Sequence, residues 1–286
     1  MSTAKIAAPI SGGKLYQERA RGALPLLVRQ AHAGAPIFYS DLAEELGMPN
    51  PRNLNYVLGS IGQSMELLSK SWKEKVPPIQ CLVINKATGL PGEGIGWFLI
   101  KKEAFADLPL RQKRAIVDAE LQHVYAYSKW NEVLKFLSLE LTKADFTPLV
   151  SKASQWTGGG EGERHKALKE YVAAHPESIG LKADTPNGIT EYPLPSGDCL
   201  DVSFLHKKVW VAAEVKSAIS PEGDIIRGLF QCVKYRAVME AVQVAEARPQ
   251  SARALLVLES SLPQSLVALR NLLGIEVVEG VTPKNG

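Results

Sequence analysis

Cysteine is scarce in this chain: Cys81, Cys199 and Cys232 are the three in 286 residues, and none lies near another. An odd, scattered set offers no disulfide framework and no CxxC zinc site, and it points to a reducing compartment. Long apolar runs are also missing. None approaches the roughly 18 residues that cross a bilayer. Met1 to Lys14 lacks the apolar core of a secretory leader, so a cytoplasmic protein with no membrane partner is expected. Charge of one sign is lacking too: Lys+Arg is 33 and Asp+Glu is 30, a net of +3. That excludes coating of nucleic acid or membrane by bulk charge, but not a local basic face. No internal repeat or low-complexity tract is visible. With 45% hydrophobic and 22% charged residues the chain is ordinary globular material, and its length suggests about two domains.

The chain is punctuated at Thr157-Gly158-Gly159-Gly160-Glu161-Gly162, which follows the polar Ser151 to Gln155. So many glycines sit badly inside a helix or strand, which sets a domain boundary near residue 150. Charge divides unevenly there. Residues 1–150 hold 18 Lys+Arg against 14 Asp+Glu, and residues 151–286 hold 15 against 16.

In the second half, Glu163 to Val172 has helical spacing and His175-Pro176 ends it. Strands are predicted at Ile189–Leu194, Cys199–Leu205 and Val209–Ser217, then a long helix at Asp224–Glu246. A strand at Arg253–Leu258, a short helix at Pro263–Leu273 and a strand at Ile275–Val278 complete the order α-β-β-β-α-β-α-β. A small mixed sheet flanked by helices follows. Alternation puts Glu214 and Lys216 on one face of their strand, opposite Val211, Ala213 and Val215. On the preceding strand Asp201 falls with Ser203, opposite Leu200, Val202 and Phe204. If the two strands pair, Asp201 and Glu214 converge. Two adjacent carboxylates repel unless a cation lies between them, and hard oxygen ligands suit Mg²⁺. A lysine beside such a pair suits phosphodiester hydrolysis.

Asp201, twelve intervening residues, then Glu214-Val215-Lys216 resembles the PD-(D/E)xK nuclease superfamily, whose core has a similar element order. Glu163 resembles the helical acidic residue that completes the metal site in many members. Gln231-Cys232-Val233-Lys234-Tyr235 resembles the QxxxY motif of the RecB-like branch. Leu200 stands where the family often has proline. The resemblance covers about residues 158–280. It implies a restriction-endonuclease-like fold, catalytic Asp201, Glu214, Lys216 and Glu163, and Mg²⁺ (or Mn²⁺ in its place) held by Asp201, Glu214 and Glu163. Arg227, Gln231, Lys234 and Tyr235 share one helix face suited to phosphate and sugar contacts. A D…ExK pattern standing alone more often marks a solvated strand face. His165, two places from Glu163, is read as facing elsewhere and structural. His175 and His206 are read as loop residues, and Cys199 and Cys232 as small buried hydrophobes.

In the first half, residues 15–34 read as a helix. Ser40 and Gly47 are expected to cap a second helix, and a third spans roughly Arg52 to Ser64. Two short helices about a glycine turn fit a helix-turn-helix. Gln80–Asn85 and Gly96–Ile100 are expected as strands of a wing. Tyr39-Ser40-Asp41-Leu42-Ala43, Gly47, Val57, Gly59, Pro78 and Val83 resemble the winged helix of O6-alkylguanine-DNA alkyltransferases and alkyltransferase-like proteins, over about residues 20–105. Pro78-Ile79-Gln80-Cys81 corresponds to that family's reactive Pro-Cys-His-Arg segment. Ile79 stands at the nucleophile, Gln80 at the activating histidine, and Cys81 is displaced by two, so alkyl transfer is not expected. The family's finger arginine falls near Asn55, with Arg52 close by, and docking of this helix on DNA is the function that persists. Arg111 to Thr142 reads as helical, either packing on the first domain or supporting a dimer, with Trp130 a packing residue.

The expectation is an α/β chain: an α-rich winged helix at 1–110, a helical linker at 111–157 and a PD-(D/E)xK domain at 158–286. Its function is expected to be a Mg²⁺-dependent DNA endonuclease of restriction or anti-phage defence, or of DNA repair. A homodimer is expected if both strands are cut. A non-catalytic DNA-binding regulator or lesion sensor, or an RNA nuclease, remains open.

Overall fold

The computed structural model describes residues 6–99, 105–142, 145–154, 162–249 and 251–283. Thr157 to Glu161 therefore lie outside the described residues. The chain is a mixed α/β protein that divides into two compact units, residues 1–144 and 145–286. Among the described residues no helix is long and apolar enough to cross a membrane.

The first unit is helical. Helix α1 (Leu15–Ala33) buries Ala20, Ala23, Leu24, Leu27 and Val28, and ends at Gly34 in the left-handed region. A two-residue strand β1 (Ile37–Phe38) leads into α2 (Tyr39–Glu45). Phe38, not Ser40, precedes that helix, and the Ser40 hydroxyl donates to Asp41 instead. Gly47 does adopt positive φ, beyond the helix end. Helix α3 (Leu54–Trp72) is longer than expected, because its apolar stripe of Leu54, Val57, Leu58, Ile61, Met65 and Leu68 runs on and is buried throughout. Arg52 falls in a 3₁₀ turn, Pro51–Asn53, ahead of it.

The expected wing is not built. Ile79–Leu82 forms a 3₁₀ turn, and only Val83–Ile84 (β2) is strand, paired in parallel with β1. Gly96–Leu99 is a short helix, α4, and Ile100 lies outside the described residues. Apolar runs this short carry no readable period, so tertiary packing decides them. Here Gly96 lies against Phe105, where a Cβ would come within 2.9 Å. The segment expected as a linker is two helices, α5 (Leu110–Ala126) and α6 (Trp130–Phe136). The break has a cause: Trp130 is buried and its indole N–H donates to the Val124 carbonyl at 2.8 Å, satisfying one of the helix's orphan acceptors. Val124, Trp130, Val133 and Leu134 join the same core as α1 and α3.

The second unit begins with α7 (Thr147–Ser154), which the polar composition had concealed. Then come α8 (Glu163–Ala174), β3 (Ile189–Pro193), β4 (Cys199–His206), β5 (Val209–Lys216), α9 (Glu222–Ala245), β6 (Ala252–Leu258), α10 (Val267–Leu273) and β7 (Glu276–Val278). The sheet order is β3-β4-β5-β6-β7, antiparallel up to β5 and parallel after it. One face packs on α8 through Leu168 and Val172 against Val202, Phe204, Val211, Ala213 and Val215. The other packs on α9 and α10 through Ile226, Leu229, Cys232 and Val267 against Trp210, Ala212, Leu256 and Leu258.

Candidate functional site: a buried ion cluster at the end of the central strands

The site forms where β4 and β5 stop pairing. Their last paired residues are Val202 and Ala213, and the next pair in register would be Asp201 and Glu214. Simple alternation fails at this point. Leu200 packs with the α9 core, whereas Val202 and Phe204 pack with the α8 core, so β4 changes face at Asp201. In the neighbouring strand Glu191 has φ 53, between the pairs Thr190–Val202 and Tyr192–Leu200. Opposite it, the Asp201 carboxylate accepts the Val215 backbone N–H at 2.9 Å.

Glu214 and Lys216 share the α9 face of β5 and are 3% and 6% exposed. Gly228 explains how a helix covers them. A Cβ there would meet Leu256 at 2.8 Å, the Lys216 Cε at 3.1 Å and the Glu214 Cγ at 3.5 Å. Only glycine allows so close an approach. Lys216 Nζ lies 2.9 Å from Glu214 Oε1 and 3.0 Å from Asp224 Oδ1. The Tyr235 hydroxyl lies 3.1 Å from Glu214 Oε2 and 3.0 Å from the Cys199 carbonyl, shares its one proton between them, and accepts from Gln231 Nε2 at 3.4 Å. Gln231 Oε1 is buried without a hydrogen-bond partner.

These neighbours set the charges. Burial, then the charge of Asp201, pushes the Glu214 carboxyl up to about 7 against the opposing pull of Lys216 and Tyr235. Burial also pushes Asp201 up, but the His165 contact, the Val215 amide and Lys216 outweigh it and hold Asp201 below the usual carboxylate value. The contact with Asp201 raises His165. Burial pulls the Lys216 ammonium down, and Glu214 and Asp224 more than restore it. Burial and Glu214 push the Tyr235 phenol far up, so it stays a neutral donor.

Asp201, Glu214, Lys216, Gln231 and Tyr235 thus come together. Glu163 does not join them. It is exposed at the first residue of α8, and among the described residues no three His, Cys, Asp or Glu side chains gather as a metal cluster. Its place on that helix is taken by His165, whose Nε2 lies 3.7 Å from Asp201 Oδ2. Helical spacing contained the clue: His165, Leu168, Lys169 and Val172 recur at i, i+3, i+4 and i+7, and all but His165 are fully buried. Lys234 points outward to Asp198 at 2.6 Å, and Arg227 is half-buried on α9. Cys199 is exposed, contrary to expectation, while Cys232 is buried. His206 is the last residue of β4 rather than a loop residue, and its Nε2 lies 3.5 Å from Asp184. Asp224 had no signal in the sequence, since the turn from β5 into α9 brings it to Lys216. Glu259 braces the rim. Its backbone N–H donates to the Lys216 carbonyl at 3.0 Å, while its carboxylate accepts from the Ala218 N–H at 2.8 Å and holds Arg164 bidentately.

In the first unit Arg52, in the 3₁₀ turn before α3, and Asn55, in its first turn, are exposed. Ile79, Gln80 and Cys81 are buried, and burial pushes the Cys81 thiol well up, so no nucleophile is presented there. No family model matches the chain, and neither a curated protein nor a solved structure matches it.

Proposed function

We propose that this protein is a divalent-metal-dependent nuclease that hydrolyses phosphodiester bonds in DNA, with its first unit as the DNA-reading module. The observation that carries the reading is the gathering of half-buried Asp201 with buried Glu214 and Lys216 in one cluster at the ends of β4 and β5. Burying ionised groups is costly, and a scaffold whose only task was stability would fill this place with apolar side chains. Perturbed groups of this kind concentrate at functional sites.

The donor set fits a hard cation. The Glu214 carboxyl is raised partly because Asp201 is charged, which marks a surplus of negative charge between them. Two carboxylates with water complete the ligand set Mg²⁺ commonly takes, so Asp201 and Glu214 would hold it. When bound, such an ion lowers the pKa of water and neutralises charge on the phosphate. The protein's own groups supply the rest. His165 keeps Asp201 ionised and oriented. Tyr235 fixes the Glu214 carboxylate, and the Lys216 ammonium stabilises the charge that grows on the phosphate oxygens. Gln231 offers its buried Oε1 to a donor on the substrate strand. Arg227 and Lys234, elsewhere on α9, make backbone contacts at most, and Arg52 and Asn55 would approach DNA from the start of α3 and the turn before it.

One such site cuts one strand, so cleavage of both strands would need two copies of the chain. Restriction or anti-phage defence is the setting that best joins a reading module to a nuclease. The rival reading, a non-catalytic DNA-binding protein, draws on the absence of a third ligating side chain among the described residues.

The test is incubation of the full chain with plasmid, linear DNA and RNA in Mg²⁺, Mn²⁺ or EDTA. Cleavage of DNA that requires metal and disappears in Glu214→Ala and Lys216→Ala supports the nuclease. Cleavage that survives both substitutions removes the site. DNA binding without cleavage in every metal favours the rival.

A further inference from the structure

Lys216 has two carboxylate partners on different elements. Glu214 lies on its own strand, and Asp224 lies on the first turn of α9, their oxygens 2.9 and 3.0 Å from Nζ. An acid in a first turn is ordinarily explained by the helix dipole. Glu222, two places earlier, fits that explanation and spends its carboxylate on Lys152 and Ser265. Asp224 instead turns inward to the lysine of the central strand. The lysine stem is walled in, its side chain 8% exposed and its Cε beneath the bare Gly228 backbone.

This confinement has a consequence for any cation at the carboxylate pair. A divalent ion on Glu214 repels the ammonium that now bonds Glu214 Oε1, and the buried stem gives the ammonium no route to solvent. Building on the nuclease reading, we propose that Asp224 is the positioning residue for Lys216, the seat that retains the ammonium in the site when a divalent cation takes the Glu214 carboxylate. Asp224 acts through Lys216 and not as a ligand of the ion. Without it, ammonium and cation contend for one carboxylate, and cation affinity falls.

A double-mutant cycle on the full chain reads this directly, with calorimetric titration of Ca²⁺ into wild type, Asp224→Asn, Lys216→Met and the double variant. Asp224→Asn is expected to weaken Ca²⁺ about ten-fold in the wild-type background and less than about two-fold where Lys216 is Met. Asp224→Glu should recover most of the loss. Thermal melts check folding, and Lys216→Gln replaces Lys216→Met if the latter unfolds. Equal weakening in both backgrounds would overturn the proposal, because Asp224 would then act on the ion itself. No weakening in either would overturn it as well. A wild type that binds no Ca²⁺ would overturn the cation site and this inference together, an outcome distinct from the other two.

Discussion

The most suggestive segments of the two units are buried in different company. In the first, the segments with the most suggestive sequence end in packing: Ile79 and Cys81 are fully buried, and Trp130 closes a helix break inside the core. In the second, Lys216, Asp224, Tyr235 and His165, four side chains from three elements, gather around the carboxylates of Asp201 and Glu214. A resemblance in sequence can therefore reflect the demands of a core as readily as those of chemistry. What separates them is the company of the segment singled out: apolar neighbours around Ile79 and Cys81, ionised partners around Asp201 and Glu214.

Experiments that break the contrast can be ranked. The largest effect is expected from Glu214→Gln, which preserves shape and removes charge. DNA cleavage in Mg²⁺ should fall by at least about a thousand-fold, on the order of 4 kcal/mol of barrier. Activity within ten-fold of wild type in a plasmid-nicking assay would erase the distinction between the units. Trp130→Ala should destabilise the first unit by about 3–5 kcal/mol, seen in urea unfolding, since it leaves a cavity and strips the Val124 carbonyl of its donor. A loss below about 1 kcal/mol would show that the α5–α6 break does not depend on the indole.

A pH effect comes next. In the metal-free protein the Glu214 carboxyl is raised from the usual value to about 7. A raised carboxyl contributes stability that is complete below the unfolded value, roughly 4.3, and is lost as pH rises through 7. Wild type should therefore lose on the order of 2–3 kcal/mol between pH 5 and pH 8 through this group, and Glu214→Gln should not. Parallel pH profiles for the two in denaturant melts would contradict the assignment. The smallest effect is expected from Arg52→Ala. DNA affinity of the full chain should drop a few-fold, and the slope of log affinity against log salt should shrink by about one. An unchanged slope would remove Arg52 from the interface.

Much of the second unit is legible in the sequence. Its four longer strands alternate or run apolar over five to eight residues, and its long helix has a broad buried side, so periods of two and 3.6 separate cleanly. The pairing of Glu214 with Lys216 on one face followed from alternation alone. Asp201 reached the site for a different reason. Alternation fails there, since Leu200 and Val202 pack on opposite faces of the sheet, and no pattern in the sequence announces that change. Glu163 was preferred to His165 because an acid is the expected ligand type, although the buried stripe of α8 already pointed to His165. In the first unit, the wing failed because its segments, Gln80–Asn85 and Gly96–Ile100, are six and five residues with no readable period. Such segments take whatever conformation their neighbours require.

Gly228 has a consequence for how this chain tolerates change. A methyl group there would lie 3.1 Å from the Lys216 stem and 2.8 Å from Leu256, so even alanine forces α9 and the ionic cluster apart. In a saturation library selected for activity, position 228 should return glycine almost alone. Position 234, exposed on the same helix, should accept most polar residues. The covering helix and the charged strand thus form one mutational unit, joined by the absence of a side chain.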